Sequence, residues 1–432
     1  MRHRPFAALT ASLLVLVLVG CGGASSDTNT GPPPTGSLTV SIVAPGGVST
    51  PVTVTGAGGF SQSLSSTQTI SNLTPGSYTV SAALGASTDP IVGDAYAATV
   101  TGSPATVAAG ATATATATAT YSTSAIPGRL WVANQSGNYV TAFTASQLAT
   151  TGSPAPSVMV GGSHKVGSNA SSLAFDGSGG LWMSDGRDSL WYFTAAQIAS
   201  STSANPTRTL VGADSSVTAI TSLAFDGQGN LWLSDQRDRV SEFSVAQLAA
   251  GGTVTPNITL TSAFGSIARP WAVAFDAHGN LWVCNYSNNS IASFTPAQIA
   301  VSGSPQPSAG VSGSRGLSGP LGIAFDHSGN LWVASILDSL VEYPASSLTS
   351  VGSPAPTVVI TGSELQTPIA LAFDDSGALW VGGYQGGHLM RFLSSQLQAT
   401  GSPTPSVTIT GSTLALPAAF AFAPHASGLP IH

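Results

Sequence analysis

Charge is scarce in this sequence, and positive charge most of all. Asp, Glu, Lys and Arg make up 7% of its 432 residues, against about a quarter in an average soluble protein. The chain has 11 basic and 18 acidic residues, a formal net charge of −7, and Lys165 is the only lysine. Because no basic patch or arginine-rich stripe is present, the sequence lacks the electrostatic footprint of a nucleic-acid-binding protein, and no nucleic-acid partner is predicted.

Long apolar runs are also missing, except at the N-terminus. Residues 1–20 join a basic start, MRHRP, to the apolar run FAALTASLLVLVLVG, which is too short for a stable membrane span. The segment ends in LVGC (18–21), which resembles the bacterial lipobox. This resemblance implies cleavage before Cys21 and attachment of lipid to its thiol; the alternative is an ordinary secretory signal with a chance cysteine. We predict a lipoprotein signal peptide over residues 1–20.

The residues that follow predict how the protein is attached and where it is located. Residues 21–36 hold the lipidated cysteine and a Gly/Ser/Pro-rich segment, GGASSDTNTGPPPTG, whose composition is typical of a flexible linker. Lipoproteins kept at the inner membrane usually carry Asp after the cysteine, whereas this chain has Gly22. We therefore predict an exported bacterial lipoprotein of the outer membrane or cell surface, with the membrane as a partner through the lipid on Cys21.

Cysteine and glutamate are nearly absent, which limits the chemistry that the chain can carry. Cys284 is the only cysteine besides Cys21, so no intrachain disulfide is predicted. It lies in the apolar stretch LWVCN and is expected to be a small buried side chain. The three glutamates are Glu242, Glu342 and Glu364. No Ser-His-Asp signature, Cys/His metal spacing or phosphate loop appears, so the sequence predicts no catalytic residue, no metal site and no cofactor.

A phrase with a tryptophan recurs six times and is seen in full as FDGQGNLWLSD and FDHSGNLWVAS. Within residues 223–260 the stretches LAF, LWLS, VSEF and ITL predict four short strands, with a helix-prone insertion, SVAQLAAGG, between the third and the fourth. A period near 50 residues is typical of stacked or circular repeat folds, and four strands per repeat are the unit of a β-propeller blade. The six tryptophans, 48 to 51 residues apart, are Trp131, Trp182, Trp232, Trp282, Trp332 and Trp380.

The phrases F-D-x-x-G-N-L-W-V and V-x-x-F, spread over residues 129–432, resemble NHL-repeat propellers and, more distantly, the gluconolactonase-like and virginiamycin-lyase-like six-bladed propellers. The region opens at RLWV (129–132), a second strand without a first, and closes with PAAFAF (417–422), a first strand with no tryptophan phrase after it. We therefore predict that residues 129–432 form six blades, and that the C-terminal strand closes the ring. Closure leaves no open sheet edge at the seam.

Residues 37–122 precede the repeats and read as short alternating strands separated by Gly/Pro turns. The phrase LTPGSYTV (73–80) resembles the L-x-P-G-x-Y-x-V core of carboxypeptidase-regulatory-like and related immunoglobulin-like modules. This resemblance implies a small β-sandwich that serves as a spacer or adhesive unit. The predicted fold class is all-β: a six-bladed β-propeller preceded by a small immunoglobulin-like β-sandwich.

Repeated aspartates admit two interpretations. Each begins a D-x-x-G turn, where an Asp side chain commonly bonds backbone N–H groups a few residues on and the glycine supplies a positive φ. A ring of carboxylates that binds a ligand is the alternative, and the turn role is the simpler interpretation. These aspartates are Asp176, Asp226, Asp276, Asp326 and Asp374.

The loops between the second and third strands differ from blade to blade and hold much of the scarce charge. Together with the loops that lead into each blade, they are expected to surround one end of the central channel. They combine aromatic rings with planar hydrogen-bonding groups, which suit a glycan or a small polar ligand; the alternative is that their Arg/Asp pairs are surface salt bridges. The residues predicted to bind ligand are Arg187, Asp188, Asp235, Arg237, Asp238, Trp271, Asn285, Tyr286, Tyr384, Gln385 and His388.

The sequence leaves three functions open. The leading one is a non-catalytic envelope lipoprotein whose propeller binds a glycan, a peptide or an envelope protein at the central channel. The resemblance implies a rival, a metal-dependent lyase or lactonase at the channel mouth, since gluconolactonase-like propellers hold a metal with Glu, Asn and Asp, and virginiamycin-lyase-like ones use His and a carboxylate. Glu242 and Glu342 fall on predicted third strands and His278 and His327 in predicted turns, away from that mouth. The third is an envelope scaffold without a small ligand.

Overall fold

The computed structural model describes most of the chain after residue 34. The predicted signal peptide, Cys21 and nearly all of the predicted linker lie outside the described residues. No helix within them is long and apolar enough to cross a membrane. The described ranges are 35–44, 48–49, 52–82, 85–87, 95–109, 114–123, 129–161, 169–203, 205–213, 216–262, 265–312, 317–374 and 376–423.

Two sheets form a sandwich over residues 36–123. Alternating apolar residues of both sheets meet in one buried core, where Tyr78 packs edge-on against Phe60 at 5.7 Å and donates its hydroxyl to the Thr74 carbonyl at 2.9 Å. The immunoglobulin-like kinship of this part stays a prediction. The sheet orders are β2-β7-β8-β10-β1-β5 and β4-β3-β6-β9, with β1 (Gly36–Val43), β2 (Val48–Ser49), β3 (Val52–Gly56), β4 (Phe60–Leu64), β5 (Gln68–Leu73), β6 (Gly76–Ala82), β7 (Gly85–Ser87), β8 (Ala95–Thr101), β9 (Ala105–Val107) and β10 (Thr114–Thr123), and a 3₁₀ turn at Ala57–Gly59.

Six further sheets of the described chain are the blades of a β-propeller. Each is an antiparallel run of four strands, ordered below from the innermost strand outward. Blade 1 is β36 (Pro417–Ala423), β11 (Arg129–Asn134), β12 (Tyr139–Thr144) and β13 (Val158–Gly161); blade 2 is β14 (Ser172–Phe175), β15 (Leu181–Ser184), β16 (Ser189–Phe193) and β17 (Arg208–Gly212); blade 3 is β18 (Ile220–Phe225), β19 (Leu231–Asp235), β20 (Arg239–Phe243) and β22 (Ile258–Thr261). Blade 4 is β23 (Pro270–Phe275), β24 (Leu281–Asn285), β25 (Ser290–Phe294) and β26 (Ala309–Val311); blade 5 is β27 (Pro320–Phe325), β28 (Leu331–Ser335), β29 (Ser339–Tyr343) and β31 (Val358–Thr361); blade 6 is β32 (Pro368–Phe373), β33 (Leu379–Gly383), β34 (His388–Phe392) and β35 (Val407–Ile409).

The ring closes where the sequence predicts. Strand β36 runs antiparallel to β11, with Leu130 opposite Phe422 and Val132 opposite Phe420. The six innermost strands contact one another in the circular order β14, β18, β23, β27, β32, β36 and back to β14. The prediction of six blades sealed by the C-terminal strand is therefore confirmed.

The repeated phrase ties two strands and a turn together inside each blade. In blade 3, Trp232 lies fully buried opposite Ala224, and its Nε1 donates to Asp226 Oδ2 at 3.0 Å. Asp226 Oδ1 accepts the N–H groups of Gln228 and Asn230, each at 2.9 Å. The same indole-to-carboxylate bond is present in blades 2 to 6, at 2.9–3.4 Å. The repeated aspartates thus hold the fold together, which supports their interpretation as turn residues.

The insertion between the third and fourth strands contacts the preceding blade. In every blade except blade 5, a glutamine in the insertion accepts a backbone N–H three residues earlier and donates to the carbonyl eight residues later, as Gln247 does with Ser244 and Thr255. Beyond it, the insertion pairs in parallel with the outermost strand of the preceding blade, so these strand edges are covered. The six pairs are Gly152–Ile409, Val160–Thr202, Leu210–Gly252, Leu260–Gly303, Gly310–Val351 and Ile360–Gly401. The insertions contain α1 (Ala145–Leu148), α2 (Ala195–Ile198), α3 (Val245–Ala250), β21 (Gly252–Val254), β30 (Val351–Gly352) and 3₁₀ turns at Ala345–Ser347 and Ser394–Leu397.

Blade 1 lacks the carboxylate that the other blades share. Ala423 pairs with Arg129, the register position that Asp holds elsewhere, and the fully buried Trp131 Nε1 has no hydrogen-bond partner among the described residues. In blade 3 the equivalent Asp226 Oδ2 accepts from both Asn230 and Trp232, and Arg129 and Trp131 occupy those two positions in blade 1. An aspartate at 423 would therefore meet the Trp131 indole N–H.

We expect Ala423→Asp to stabilise the protein. A hydrogen bond to a charged group contributes about 1.5–3 kcal/mol, and a net gain of only about 1 kcal/mol raises Tm by about 2–4 °C in a domain of this size. Thermal unfolding followed by circular dichroism measures it, with Ala423→Asn as the uncharged control. The gain should shrink in a Trp131→Phe background. An unchanged or lower Tm for Ala423→Asp would contradict this account of the seam.

Candidate functional site

A cavity of about 310 Å³ lies along the axis of the ring. Small-molecule sites in proteins enclose roughly 300–1,000 Å³, so the space suits a small ligand. At one end it is lined by residues at the start of the first strands, among them Ser172, Thr221 and Trp271. At the other end it is lined by the turns that follow the first strands of blades 2 and 3, including Gly177 and Gly227.

The cavity has one polar and one apolar wall. The polar wall belongs to blades 2 and 3 and carries the hydroxyl-bearing residues Ser172 and Ser222. Thr221 also lines it, but its hydroxyl is bonded to Ser234 and to the Pro270 carbonyl. Ser222 Oγ accepts the Val273 N–H at 3.2 Å, and its own proton can still be donated, because a hydroxyl is both donor and acceptor. Blades 4, 5, 6 and 1 supply the apolar wall, formed by Val273, Leu321, Ile323, Ile369, Leu371, Phe420 and Phe422.

The two carboxylates at the cavity already have partners. Asp226 uses both oxygens for four hydrogen bonds, two from backbone N–H groups and two from the side chains of Asn230 and Trp232. Asp176 likewise accepts from the N–H groups of Ser178 and Gly180, and from Trp182 Nε1. An ionised carboxylate has about four acceptor positions, so Asp226 has none left for a metal or a proton transfer. Within the described ranges, no group of three or more His, Cys, Asp and Glu side chains could hold a metal ion.

Of the residues predicted to bind ligand, Trp271 is the one that lines the cavity. Its ring lies 5.6 Å from that of Tyr286, at a 43° tilt, and the Arg269 guanidinium lies 5.4 Å from the Tyr286 ring centre. Trp271 is half-buried, so the pair places an aromatic surface at the end of the cavity where the first strands begin. Here the structure brings two predicted residues together, and it adds Arg269 to them.

Two predicted polar residues are buried beside the second strands. Asp235 forms an ion pair with Arg239, 2.7 Å from oxygen to nitrogen, and accepts the Arg237 N–H at 2.9 Å. Burial raises the pKa of the Asp235 carboxyl above its ordinary value, against the opposing effect of Arg239. Asn285 accepts the Ala268 N–H at 2.9 Å and donates to the Ser266 carbonyl at 3.0 Å. Asp235 thus holds the loop between the second and third strands of blade 3, and Asn285 holds the loop that leads into blade 4.

Asp238 belongs to a set of bonds between neighbouring blades. It has a positive φ just before a third strand, and its Oδ1 accepts the N–H of Arg269, at the start of blade 4, at 2.6 Å. Asn138, Asn289 and Asp338 do the same for the following blades, each at 2.6 Å. The signal for this role was visible in the sequence as an Asn or Asp immediately before the third strand.

The remaining predicted residues lie apart from the cavity. Asp188 accepts the Ser189 hydroxyl at 2.8 Å, and the Arg187 carbonyl accepts the Ile220 N–H at 3.2 Å. The Tyr384 hydroxyl donates to Gln135, and the Gln385 N–H donates to a backbone carbonyl. His388 is 8% exposed, and its Nε2 lies 2.8 Å from the Glu364 carbonyl oxygen. As ligand-binding residues, Arg187, Asp188, Asp235, Arg237, Asp238, Asn285, Tyr384, Gln385 and His388 stay a prediction.

Sequence reasoning missed the two serines and two glycines that line the cavity in blades 2 and 3. Ser172 and Ser222 stand two residues before the repeated alanine, where the other blades have Ala or Gly. Gly177 and Gly227 follow the turn aspartate, where blades 4 and 5 have Ala and His. These departures from the repeat are the signal that could have located the site.

Fold and site together define a six-bladed β-propeller with a small axial cavity. No protein-family profile matches the chain, and no curated protein matches it in sequence. Among solved structures, a streptogramin B lyase is 13% identical (62% of this chain, 77% of the other, TM-score 0.41). Virginiamycin B lyase from Staphylococcus aureus is 14% identical (59% and 76%, TM-score 0.40), and its catalytically inactive form solved with quinupristin is 13% identical (72% and 84%, TM-score 0.41). Similarities of this size carry nothing about activity.

Proposed function

We propose that this protein is a non-catalytic binding protein of the cell envelope, and that its axial cavity takes a small, neutral, partly apolar molecule. The observation that carries the proposal is the composition of the cavity: an aliphatic and aromatic wall faces a side that carries the serines Ser172 and Ser222. Such a lining matches the usual small-molecule site, which is mostly apolar with a few polar groups that fix orientation.

The shortage of free charged groups in the cavity indicates which class of ligand it can bind. An ion buried in the cavity would need a partner of opposite charge, because transferring an isolated charge out of water costs several kcal/mol. Asp226 is already satisfied, and the side chains of the two walls are hydroxyl-bearing or apolar. A neutral molecule that places apolar groups against Phe420 and hydroxyl or carbonyl groups against Ser222 fits this lining best.

The location in the envelope rests on the N-terminal sequence. The LVGC phrase at residues 18–21 supports lipid attachment at Cys21, and the Gly/Ser/Pro-rich segment after it supports a flexible tether. A binding propeller on such a tether would meet ligands at the outer membrane or cell surface. Glycans, peptides and envelope proteins stay possible partners of the aromatic surface at Trp271 and Tyr286.

We expect the protein to bind the neutral fluorescent probe N-phenylnaphthylamine, and Trp271→Ala to weaken this binding. Loss of one aromatic contact of about 1.4 kcal/mol corresponds to a tenfold rise in Kd. A fluorescence titration of the purified protein measures it. Leu337→Ala is the control, because Leu337 is 69% exposed and does not line the cavity.

Two results would count against the proposal. Absence of saturable probe binding would remove the cavity as a ligand site, and equal affinity of the Trp271→Ala variant would place the probe elsewhere. A rise in Tm with Ca²⁺, Mg²⁺ or Zn²⁺ would instead favour the metal-dependent lyase or lactonase, since a ligand of the folded state raises its stability.

A further inference from the structure

We infer that the ligand reaches the axial cavity from the face of the first turns, through a gap between blades 2 and 3. This inference rests on the proposed function and concerns the route into the same site. It differs from the expectation drawn from sequence, which placed function at the opposite face, among the loops between second and third strands.

The first observation is which turns line the cavity. Blade 2 contributes Gly177 and Gly179, and blade 3 contributes Gly227, Gln228 and Gly229. The corresponding turns of blades 4 and 5 line no part of it. Among the described residues, the cavity therefore approaches this face at blades 2 and 3, next to the wall that carries the hydroxyl groups.

The second observation is the open space at two glycines. Gly177 and Gly227 are exposed, and a Cβ built at either position would meet no atom within 4 Å. Neither has the positive φ that favours glycine, so their conformation is open to any residue. The equivalent residues Ala277 and His327 carry side chains. Because blades 2 and 3 have glycine at this turn position, no side chain fills the space there. The backbone conformation does not require glycine at either position.

The third observation is the bulk of the side chains at the opposite end. Leu321 and Ile369 stand at the starts of their strands, where an open channel mouth would expose them, yet they are only 4% and 8% exposed. Trp271, the bulkiest residue at this position in any blade, lies beside them and is half-buried. These three side chains narrow this end of the cavity, which favours entry from the turn side.

The test is to narrow the gap at the two glycines while leaving the hydroxyl-bearing and apolar walls unchanged. We expect Gly177→Phe and Gly227→Phe, which narrow the entrance of the cavity, to slow both association and dissociation of N-phenylnaphthylamine about tenfold in stopped-flow fluorescence. Ala277→Phe is the matched control, at the same turn position of a blade that does not line the cavity, and should stay within about twofold of the unsubstituted rates.

Several outcomes would overturn the route. Unchanged rates in both glycine variants would do so, as would equal slowing by Ala277→Phe. If a phenylalanine variant fails to fold, Gly177→His replaces it in the test, because blade 5 carries histidine at the same turn position. This variant should also slow association and dissociation. No binding to the unsubstituted protein overturns the proposed function and this route together, whereas binding with unaltered rates overturns the route alone.

Discussion

A chain that ends at Leu416 is expected to lose the cooperative folding of the propeller. It lacks β36, whose backbone pairs with β11 and whose Phe420 and Phe422 are buried in the core shared with blade 6. Each phenylalanine contributes about 1.5–3 kcal/mol through burial, and each lost hydrogen bond of the ladder about 0.5–1.5 kcal/mol. The sum approaches the whole stability of a typical domain, about 5–15 kcal/mol, and β11 is left as an open apolar edge.

The measurement is thermal unfolding by circular dichroism, together with gel filtration. The chain ending at Leu416 should show no cooperative transition of the propeller and should aggregate. A chain ending at Ala423 is the control, because it keeps β36 and its pairing with Arg129. If the shorter chain unfolds with the same Tm as the control, the C-terminal strand does not seal the ring.

Asp374→Asn is expected to cost far more stability than the same substitution at Asp326. Asp374 is buried and bonds the Arg391 guanidinium through Oδ2, 2.9 Å from Nε. Removing one partner of a buried ion pair costs about 3–5 kcal/mol, because the other charge stays buried and uncompensated. Asp326 has the same turn and the same tryptophan bond, and no described residue serves it as a cationic partner, so Asp326→Asn should cost about 1 kcal/mol.

Urea unfolding of the two variants measures this difference. Adding Arg391→Met to Asp374→Asn should recover part of the loss, because a buried pair replaced by apolar groups is often neutral in stability. If both variants lost the same free energy of unfolding, the buried Arg391 guanidinium would not require the Asp374 carboxylate as its partner. The contrast is informative because both aspartates occupy one position of the repeat.

The blade structure was predictable from sequence because the interactions that form it are local and recur along the chain. The Trp232 indole, the Asp226 carboxylate and Ala224 lie within nine residues of one another and interact directly. Closure was predictable as well, since the strand missing before Arg129 reappears at Pro417. Six copies of one pattern make such inferences robust against single deviations.

The site was harder to predict, because it is built where blades differ and not where they agree. Its walls join residues from all six blades, from Ser172 to Phe422, and no local spacing relates them. Polar loop residues are misleading for the same reason. Asp238 is a residue type that often contacts ligands, yet its carboxylate accepts a hydrogen bond from the backbone of the next blade. Whether a polar side chain is free for a ligand depends on partners about thirty residues away.

A crystal structure of the protein with N-phenylnaphthylamine tests the central claim most directly. We expect the probe inside the axial cavity, with its rings against Phe420 and Leu371, close to Ser222, and below the gap at Gly177 and Gly227. A probe seated outside the ring axis, among the loops around Asp188 and Tyr384, would contradict the claim that this propeller binds its ligand in the cavity.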